Sequence, residues 1–197
     1  MVFKLIERRK ENKRKRKKRE YKMITAIVEW GEGKESISTG YLFGKVEFTQ
    51  YSPEAPVKVY LRIEGLPDGI HGFHIHEKPL EDTEGDVMDC CDKLGGHFNV
   101  GEKWSPDNPL GTPHGQHNGD LCMNLHFEQG MVQTKFWDDK ISLYPGEKCI
   151  VGRSLVIHEN EDDLGQGIYD DENLENESKM TGNAGGRIAC GNIVKLP

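Results

Sequence analysis

Short stretches in which hydrophobic and polar positions alternate, or in which β-branched and aromatic residues accumulate, recur along this chain between turn-forming residues. The first, Ile-Thr-Ala-Ile-Val-Glu-Trp at 24–30, alternates in this way, and a Leu-Pro-Asp-Gly turn at 66–69 precedes a stretch rich in histidine. A period of two between turn signals is typical of β-strands. We therefore predict strands at 24–30, 40–49, 57–64, 71–77, 120–128, 131–137, 150–158 and 188–194.

Two long segments lack this patterning. Residues 77–119 are rich in Gly, Pro and Asp, and residues 159–186 are rich in Asp, Glu and Gly. Loops of this length are uncommon in compact domains and usually functional. About eight short strands with two long loops predict an all-β fold, a Greek-key β-sandwich or flattened eight-stranded barrel of immunoglobulin-like architecture. No helix longer than a turn or two is expected.

Length and composition add limits to this picture. A chain of 197 residues with 35% hydrophobic residues can build one domain with a core of its own. No apolar run approaches the roughly 20 residues that cross a bilayer, and residues 1–6 are too short for the apolar region of a signal peptide. Five cysteines do not make a secreted disulfide scaffold. We expect a cytoplasmic protein without a membrane segment.

Charge is divided unevenly along the chain. Residues 1–22 contain 12 Lys or Arg and 3 Glu, whereas the part from Met23 onward contains 14 basic and 30 acidic residues. We predict that 1–22 is a disordered basic extension and 23–197 the folded domain, although Met23 could also be the first residue of the working protein. The extension could contact nucleic acid or another polyanion, direct nuclear entry, or have no role at all. Because it lacks interleaved aromatic residues, specific recognition of nucleic acid is not expected.

Histidines supply the candidate chemistry. His74 and His76, two positions apart in a strand, place both imidazoles on one face. Imidazole is a favoured ligand of copper and zinc, and an added carboxylate suits zinc in particular. A polar segment has no packing reason to collect further histidines, so these residues could hold two metal ions. The complete set is His74, His76, His97, His114, His117, Asp120 and His158.

Five segments of the chain resemble the copper/zinc superoxide dismutase family, and the resemblance covers nearly everything from Met23 to Pro197. The segments are His-Gly-Phe-His-Ile-His-Glu at 71–77, Gly-His-Phe-Asn at 96–99, His-Asn-Gly-Asp-Leu at 117–121, Leu-Val-Ile-His-Glu at 155–159 and Thr-Gly-Asn-Ala-Gly-Gly-Arg-Ile-Ala-Cys-Gly at 181–191. The resemblance implies an antioxidant enzyme that converts two superoxide anions to dioxygen and hydrogen peroxide. Histidine-bound copper is alternately reduced and reoxidised, and zinc is its structural partner.

The resemblance also implies a role for each site residue. Copper takes His74, His76, His97 and His158, and zinc takes His97, His114, His117 and Asp120. His97 would bind both ions, one through each ring nitrogen, and would be the first proton source. Arg187 would be a fixed cation beside copper, and Asp162 would accept hydrogen bonds from one copper ligand and one zinc ligand. His71 would orient backbone near the metals, and His126 would be structural or exposed.

A disulfide bridge and a homodimer follow from the same resemblance. The bridge would join Cys91 to Cys190, but Cys90 is an equally close neighbour in sequence and remains an alternative. Gly152 and residues 191–197 fall where relatives pair. The pair Lys78-Pro79 replaces an apolar Phe-Gly pair of relatives and changes the geometry expected there.

The chain departs from the family pattern in the zinc loop and beside the arginine. His97 and His114 are seventeen residues apart and His114 and His117 only three, with an insertion around 104–110. Gly115 must then permit a tight turn. Lys179 precedes Met180, the position at which many relatives carry lysine, so attraction of superoxide to the site should be weaker.

Two other functions compete with the enzyme. A domain of this kind could store or deliver copper without turnover, but the complete copper ligand set together with Arg187 argues against it. The basic extension could make this a nucleic-acid-associated protein, but the chain offers no folded reader of nucleic acid.

Overall fold

The computed structural model describes residues 21–197 and forms ten strands and two helices. Of the predicted basic extension, residues 1–22, the part from 1 to 20 lies outside the described residues. The strands are β1 (Ile24–Trp30), β2 (Ser36–Ser38), β3 (Phe43–Gln50), β4 (Val57–Glu64), β5 (Gly69–His76), β6 (Asp120–Phe127), β7 (Met131–Asp138), β8 (Ser154–His158), β9 (Arg187–Asn192) and β10 (Val194–Lys195). The helices are α1 (Val87–Asp92) and α2 (Glu172–Thr181).

Two five-stranded antiparallel sheets pack face to face. One has the order β10-β1-β3-β4-β7 and the other β2-β9-β8-β5-β6. Alternate residues of β1, such as Ala26 and Val28, are buried and face the second sheet, which contributes Phe73 and Ile75 to the same core. Burial of one such large side chain contributes roughly 1.5–3 kcal/mol to stability. The predicted all-β sandwich is confirmed.

Strand β5 is buried on both faces because the long loops cover the outer face of its sheet. Phe73 and Ile75 point into the core, so His74 and His76 point to the opposite face, beneath these loops. Both histidines have no exposed surface. The site therefore lies outside the sandwich, between the second sheet and the loops.

The structure departs from the predicted elements in several places. The short strands β2 and β10 were not predicted, and β8 begins at Ser154 because Gly152 adopts a positive φ of 83° in a turn. The expectation of no helix beyond a turn or two is wrong for α2, which has ten residues. Asp171 caps its first turn, and Gly182, with φ 77°, ends it. Its apolar periodicity is too weak to reveal the helix.

Helix α1 carries the disulfide bridge. Asp86 caps this helix by accepting hydrogen bonds from the backbone N–H groups of Met88 and Asp89. Cys91 is bonded to Cys190 on β9, and Cys90 is a buried free thiol, so the structure decides between the two alternatives. In the chain-entropy view, a bridge across 99 residues contributes about 4 to 5 kcal/mol.

Among residues 21–197, no helix is both long and apolar enough to cross a membrane.

Candidate metal centre

Strands β5 and β8 bring three histidines together from distant parts of the chain. The two strands pair so that His74 lies opposite Val156 and His76 opposite Ser154. His158 lies two residues after Val156 on β8 and therefore faces the same side of the sheet. His97 joins them because its segment crosses β5, where the Phe98 N–H donates to the Ile75 carbonyl at 2.8 Å.

The predicted ligands form two groups, and His97 belongs to both. Within each group, one donor atom from every residue lies within 4.8 Å of the others, and all seven residues are buried. The first group is His74, His76, His97 and His158, and the second is His97, His114, His117 and Asp120. The structure thus brings together every metal ligand that the sequence predicted.

Backbone carbonyls hold three of these rings through a single nitrogen. His76 Nδ1 donates to the Gly95 carbonyl at 3.0 Å, and His158 Nδ1 donates to the Gly185 carbonyl at 3.2 Å. His117 Nε2 donates to the Thr112 carbonyl at 3.0 Å. Such hydrogen bonds fix the tautomer and leave the other nitrogen free for a metal, a common arrangement around bound ions. These carbonyl partners could not have been found from the sequence, since every position has a carbonyl.

The free nitrogens provide a test of whether metals fit here. Three buried ring nitrogens, Nδ1 of His74, His114 and His117, have no hydrogen-bond partner. A buried polar atom without a partner costs free energy comparable to a lost hydrogen bond. Metal ligation satisfies all three atoms at once, and four neutral imidazoles or three imidazoles with a carboxylate suit copper and zinc. The residues therefore fit both ions.

Asp120 is the only carboxylate in the two groups. Its Oδ1 accepts from His97 Nδ1 at 2.9 Å, and its Oδ2 accepts from the backbone N–H groups of Gly115 at 2.7 Å and His117 at 3.0 Å. Burial alone would raise the pKa of Asp120, but the adjacent rings of His117 and His97 hold it well below its usual range. The carboxylate is charged, as a zinc ligand must be.

The insertion does not displace His114, whose spacing departs from the family pattern. The N–H of His114 donates to the Lys179 carbonyl at 3.0 Å, which ties this residue to α2. Gly115 has a φ of 85°, a left-handed conformation that turns the chain back toward His117. The turn expected at Gly115 is therefore present, and His114 is fully part of the second group.

Asp162 lies between the two groups. One of its oxygens, Oδ2, accepts from His74 Nε2 at 2.6 Å, and both oxygens are 2.9 Å from His114 Nε2. Asn124 on β6 holds the backbone of Asp162 with two hydrogen bonds, at 2.9 and 2.8 Å. A Cβ at Gly182 would stand 2.2 Å from the Asp162 carboxylate, so this position admits only glycine. Asn124 has no sequence signal that predicts this contact.

Burial keeps most of these imidazole rings neutral. It lowers the pKa of His74 and His76 well below the ordinary value, with further lowering by His97. Burial and His97 likewise lower the pKa of His158 to about 3. His114 differs: burial lowers its pKa, but hydrogen bonding to Asp162 and the charge of Asp120 raise it overall. Neutral imidazole is the form that binds metals.

Arg187 is fixed beside the first group by two carbonyl oxygens. Its Nη1 donates to Cys91 and its Nη2 to Gly95, both at 2.8 Å. With His97 and His158 it lines a cavity of about 250 Å³, here called the mouth cavity, which also includes Gly96, Glu177, Thr181, Asn183, Ala184 and Gly185. The disulfide-bonded residue Cys91 thus helps to position the arginine.

Lys179, which precedes the position where many relatives carry lysine, does not line this cavity. Its ammonium pairs with Glu175 and lies 5.8 Å from the centre of the Trp104 ring. The other two histidines behave as predicted. His71 Nδ1 donates to the His158 carbonyl at 2.9 Å, and the His126 side chain is 64% exposed.

An antiparallel β-sandwich whose outer face carries two four-donor groups with one shared histidine defines a class of binuclear metalloproteins. The sequence profile of copper/zinc superoxide dismutase matches residues 42–193. Superoxide dismutase [Cu-Zn] A of Xenopus laevis is 45% identical over 159 residues, which cover 81% of this chain and 93% of that protein. Extracellular superoxide dismutase [Cu-Zn] of Drosophila melanogaster is 41% identical over 152 residues, covering 76% of this chain and 74% of that protein.

Among solved structures, the crystal structure of the clock protein EA4 superposes with a TM-score of 0.62 at 36% identity. The match covers 88% of this chain and 94% of the other. The chain belongs to the copper/zinc superoxide dismutase family. It is an oxidoreductase that acts on superoxide, with copper and zinc as its cofactors.

Proposed function

We propose that superoxide is dismuted at a copper ion held by His74, His76, His97 and His158, and that a zinc ion held by His97, His114, His117 and Asp120 supports this site. The observation that carries the assignment is the pair of buried four-donor groups that share His97. Copper, when bound, supplies the one-electron redox change that converts one superoxide to dioxygen and a second to hydrogen peroxide. Zinc has no accessible redox change.

His97 is the residue best placed to hold a proton for the product. Its Nδ1 faces Asp120 at 2.9 Å in the second group, so Nε2 is the atom left for the first group. Asp120 and the crossing of β5 keep the ring in place while Nε2 takes up or gives up a proton. Peroxide needs two protons, and a ring at the wall of the mouth cavity can supply the first.

Arg187 recognises the substrate by charge. Two carbonyls hold its guanidinium at the wall of the mouth cavity, where it attracts a small anion and favours it over neutral molecules. Its fixed orientation requires no rearrangement when superoxide arrives.

The test is the rate of superoxide dismutation by purified protein loaded with both metals, compared with metal-depleted protein. We expect rapid turnover only in the loaded protein, with one copper and one zinc per chain by elemental analysis. Tight copper binding without turnover would instead support the storage function.

We also propose that residues 23–197 form the enzyme domain and that it pairs as a homodimer through Gly152 and residues 191–197. Val194 and Leu196 are exposed apolar residues on this surface and support pairing there. Light scattering on the eluting protein measures the mass of the assembly. Replacing Val194 by Glu should yield monomers if this surface pairs.

The cytoplasm is the proposed compartment. Three of the five cysteines, Cys90, Cys122 and Cys149, are free thiols, which is typical of a reducing compartment. Fractionation of cells that produce the full chain tests this placement and any nuclear fraction attributable to residues 1–22.

A further inference from the structure

Residues 102–112, which contain the insertion that separates this chain from the family pattern, form a compact loop, called here the inserted loop. Its two ends pair in a short parallel bridge, in which the Trp104 N–H donates to the Thr112 carbonyl at 2.8 Å and the Thr112 N–H donates to the Glu102 carbonyl at 2.9 Å. A Cβ at Gly111 would stand 2.2 Å from the Lys103 carbonyl, so the two ends of the loop pack tightly. The inserted loop therefore holds Lys103 and Trp104 in defined places.

These two neighbouring side chains contact opposite sides of the site. Lys103 Nζ is 2.5 Å from Glu77 Oε1, one residue after His76. The Trp104 ring lies beside Lys179 on α2. The inserted loop thus joins the end of β5 to α2, and Lys103 Nζ lies beside Gly96, which lines the mouth cavity.

The ion pair of Lys103 and Glu77 packs against the Gly95-Gly96 backbone. A Cβ at Gly96 would stand 2.9 Å from Lys103 Nζ, and one at Gly95 would stand 2.8 Å from Glu77 Oε2. Gly96 lines the mouth cavity together with Arg187. The Gly95 carbonyl, in turn, accepts hydrogen bonds from Arg187 and His76. The charge of Lys103 therefore lies at the edge of the surface that superoxide must approach.

The local charge at this rim is otherwise unfavourable for an anion. Met180 stands where a lysine would add positive charge, and Lys179 faces Glu175 and Trp104 instead of the cavity. Of the residues that line the mouth cavity, Glu177 is acidic and Arg187 is the basic one. An unpaired carboxylate at Glu77 would add a second negative charge close to the approach path.

We propose that Lys103 is a positioning residue for the anionic substrate: its ammonium cancels the charge of Glu77 at the rim of the mouth cavity and adds to the attraction by Arg187. This role rests on the proposed function. Lys103 touches no reacting atom, so it acts through the field at the cavity and changes the rate of encounter with superoxide.

The first experiment compares charge-removing and charge-keeping variants of the metal-loaded protein. Lys103→Met should lower kcat/KM for superoxide about two- to threefold at low ionic strength, the size expected of one nearby unit charge. The difference should vanish in high salt, where such charges are screened. Lys103→Arg should retain the wild-type rate.

The matched control is Lys45→Met. Lys45 also pairs with a carboxylate, Glu47 at 3.2 Å, but it lies on β3 in the other sheet. Both methionine variants change net charge equally, so equal losses in the two would overturn the proposal. Metal content and melting temperature are measured in each variant.

The second experiment removes the opposing charge. Glu77→Gln in the Lys103→Met protein should restore most of the lost rate, and Glu77→Gln alone should raise it. Azide binding can be followed by the absorption of bound copper. The dissociation constant of azide should rise in Lys103→Met by a similar factor. If wild-type protein proved inactive, the azide constants would still decide the role of Lys103. Unchanged azide binding in Lys103→Met would exclude the proposed role of Lys103.

Discussion

His74 and His114 are joined by the single carboxylate of Asp162, which accepts from Nε2 of the first ring at 2.6 Å and of the second at 2.9 Å. One ring belongs to the first donor group and the other to the second. A change at Asp162 should therefore affect both proposed ions, although Asp162 belongs to neither four-donor group.

Replacing Asp162 by Asn should weaken both metal sites. The amide keeps the size of the side chain but removes the charge and offers only one accepting oxygen for two rings. Loss of such a contact behind a metal ligand typically costs 10- to 100-fold in metal affinity. Competition with a chelator measures the copper and zinc constants. Asp139→Asn, on the exposed residue after β7, is the control. Equal constants in the two variants would contradict the link.

His97→Ala should lose zinc affinity as well as dismutase activity, because one ring serves both donor groups. The expected loss in zinc affinity is at least about 100-fold, more than for a residue behind a ligand. Elemental analysis after dialysis measures how much zinc and copper the variant retains. Full zinc occupancy would show that His97 is not shared.

His117→Ala and Asp120→Ala should release zinc and lower thermal stability while copper stays bound by His74, His76 and His158. The free energy of zinc binding becomes free energy of folding where the loop needs the ion. A melting temperature lower by roughly 5 °C or more corresponds to about 2 kcal/mol in a domain of this size.

His114→Ala should behave in the same way, because the structure places its Nδ1 among the atoms of the second group. The three variants are compared side by side for zinc content and melting temperature. Unchanged zinc in the His114 variant would mean that another group completes the site. Full activity of zinc-free wild-type protein would favour a copper-only enzyme.

Arg187→Glu should lower activity about tenfold or more relative to Arg187→Lys, since the residue acts on the charge of the substrate. Lysine keeps the charge but loses the paired hydrogen bonds to Cys91 and Gly95. Metal content should be nearly unchanged in both variants. Equal activities would remove Arg187 from the substrate site.

The metal-free protein should become less stable as the pH falls from about 6.5 toward 3. Burial lowers the pKa of His158 to about 3 in the folded chain, whereas an unfolded histidine titrates near 6.5. In this window the unfolded chain binds more protons, so the free energy of unfolding falls by up to ~1.4 kcal/mol per pH unit from this residue. Its contribution is complete above pH 6.5.

Urea unfolding between pH 7.5 and 4 checks this expectation. His158→Gln should flatten the pH dependence, and the exposed His126→Gln should leave it unchanged. An identical slope in wild-type and His158→Gln protein would contradict the assignment of the shifted pKa.

The sequence was sufficient to predict the sandwich and the seven candidate ligands. Alternation along β1 and β5 decides which side chains face the core. Because His74 and His76 are two positions apart in β5, the same alternation places both on one face. Helix α2 was not predicted because the sequence signals for it are polar and local. They are the Asp171 cap and the Glu175–Lys179 pair. Nothing apolar repeats along it with a helical period.

The contacts that orient the site were beyond sequence reasoning. The carbonyls of Gly95, Thr112 and Gly185 hold three rings. Every residue has a backbone carbonyl, so the sequence does not mark which ones accept these hydrogen bonds. The choice of Cys91 over Cys90 likewise depends on which side of α1 faces β9. Tertiary packing decides such details.

The length of β5 is constrained because its two faces carry different sets of side chains. Phe73 and Ile75 belong to the core while His74 and His76 belong to the site, so the loss of one residue within this strand would exchange the two sets. The loops that cover the site are free of this constraint, since the inserted loop lengthens one of them and His114 still reaches its group. Variation in length among descendants of this protein should therefore accumulate in the loops and be purged from β5.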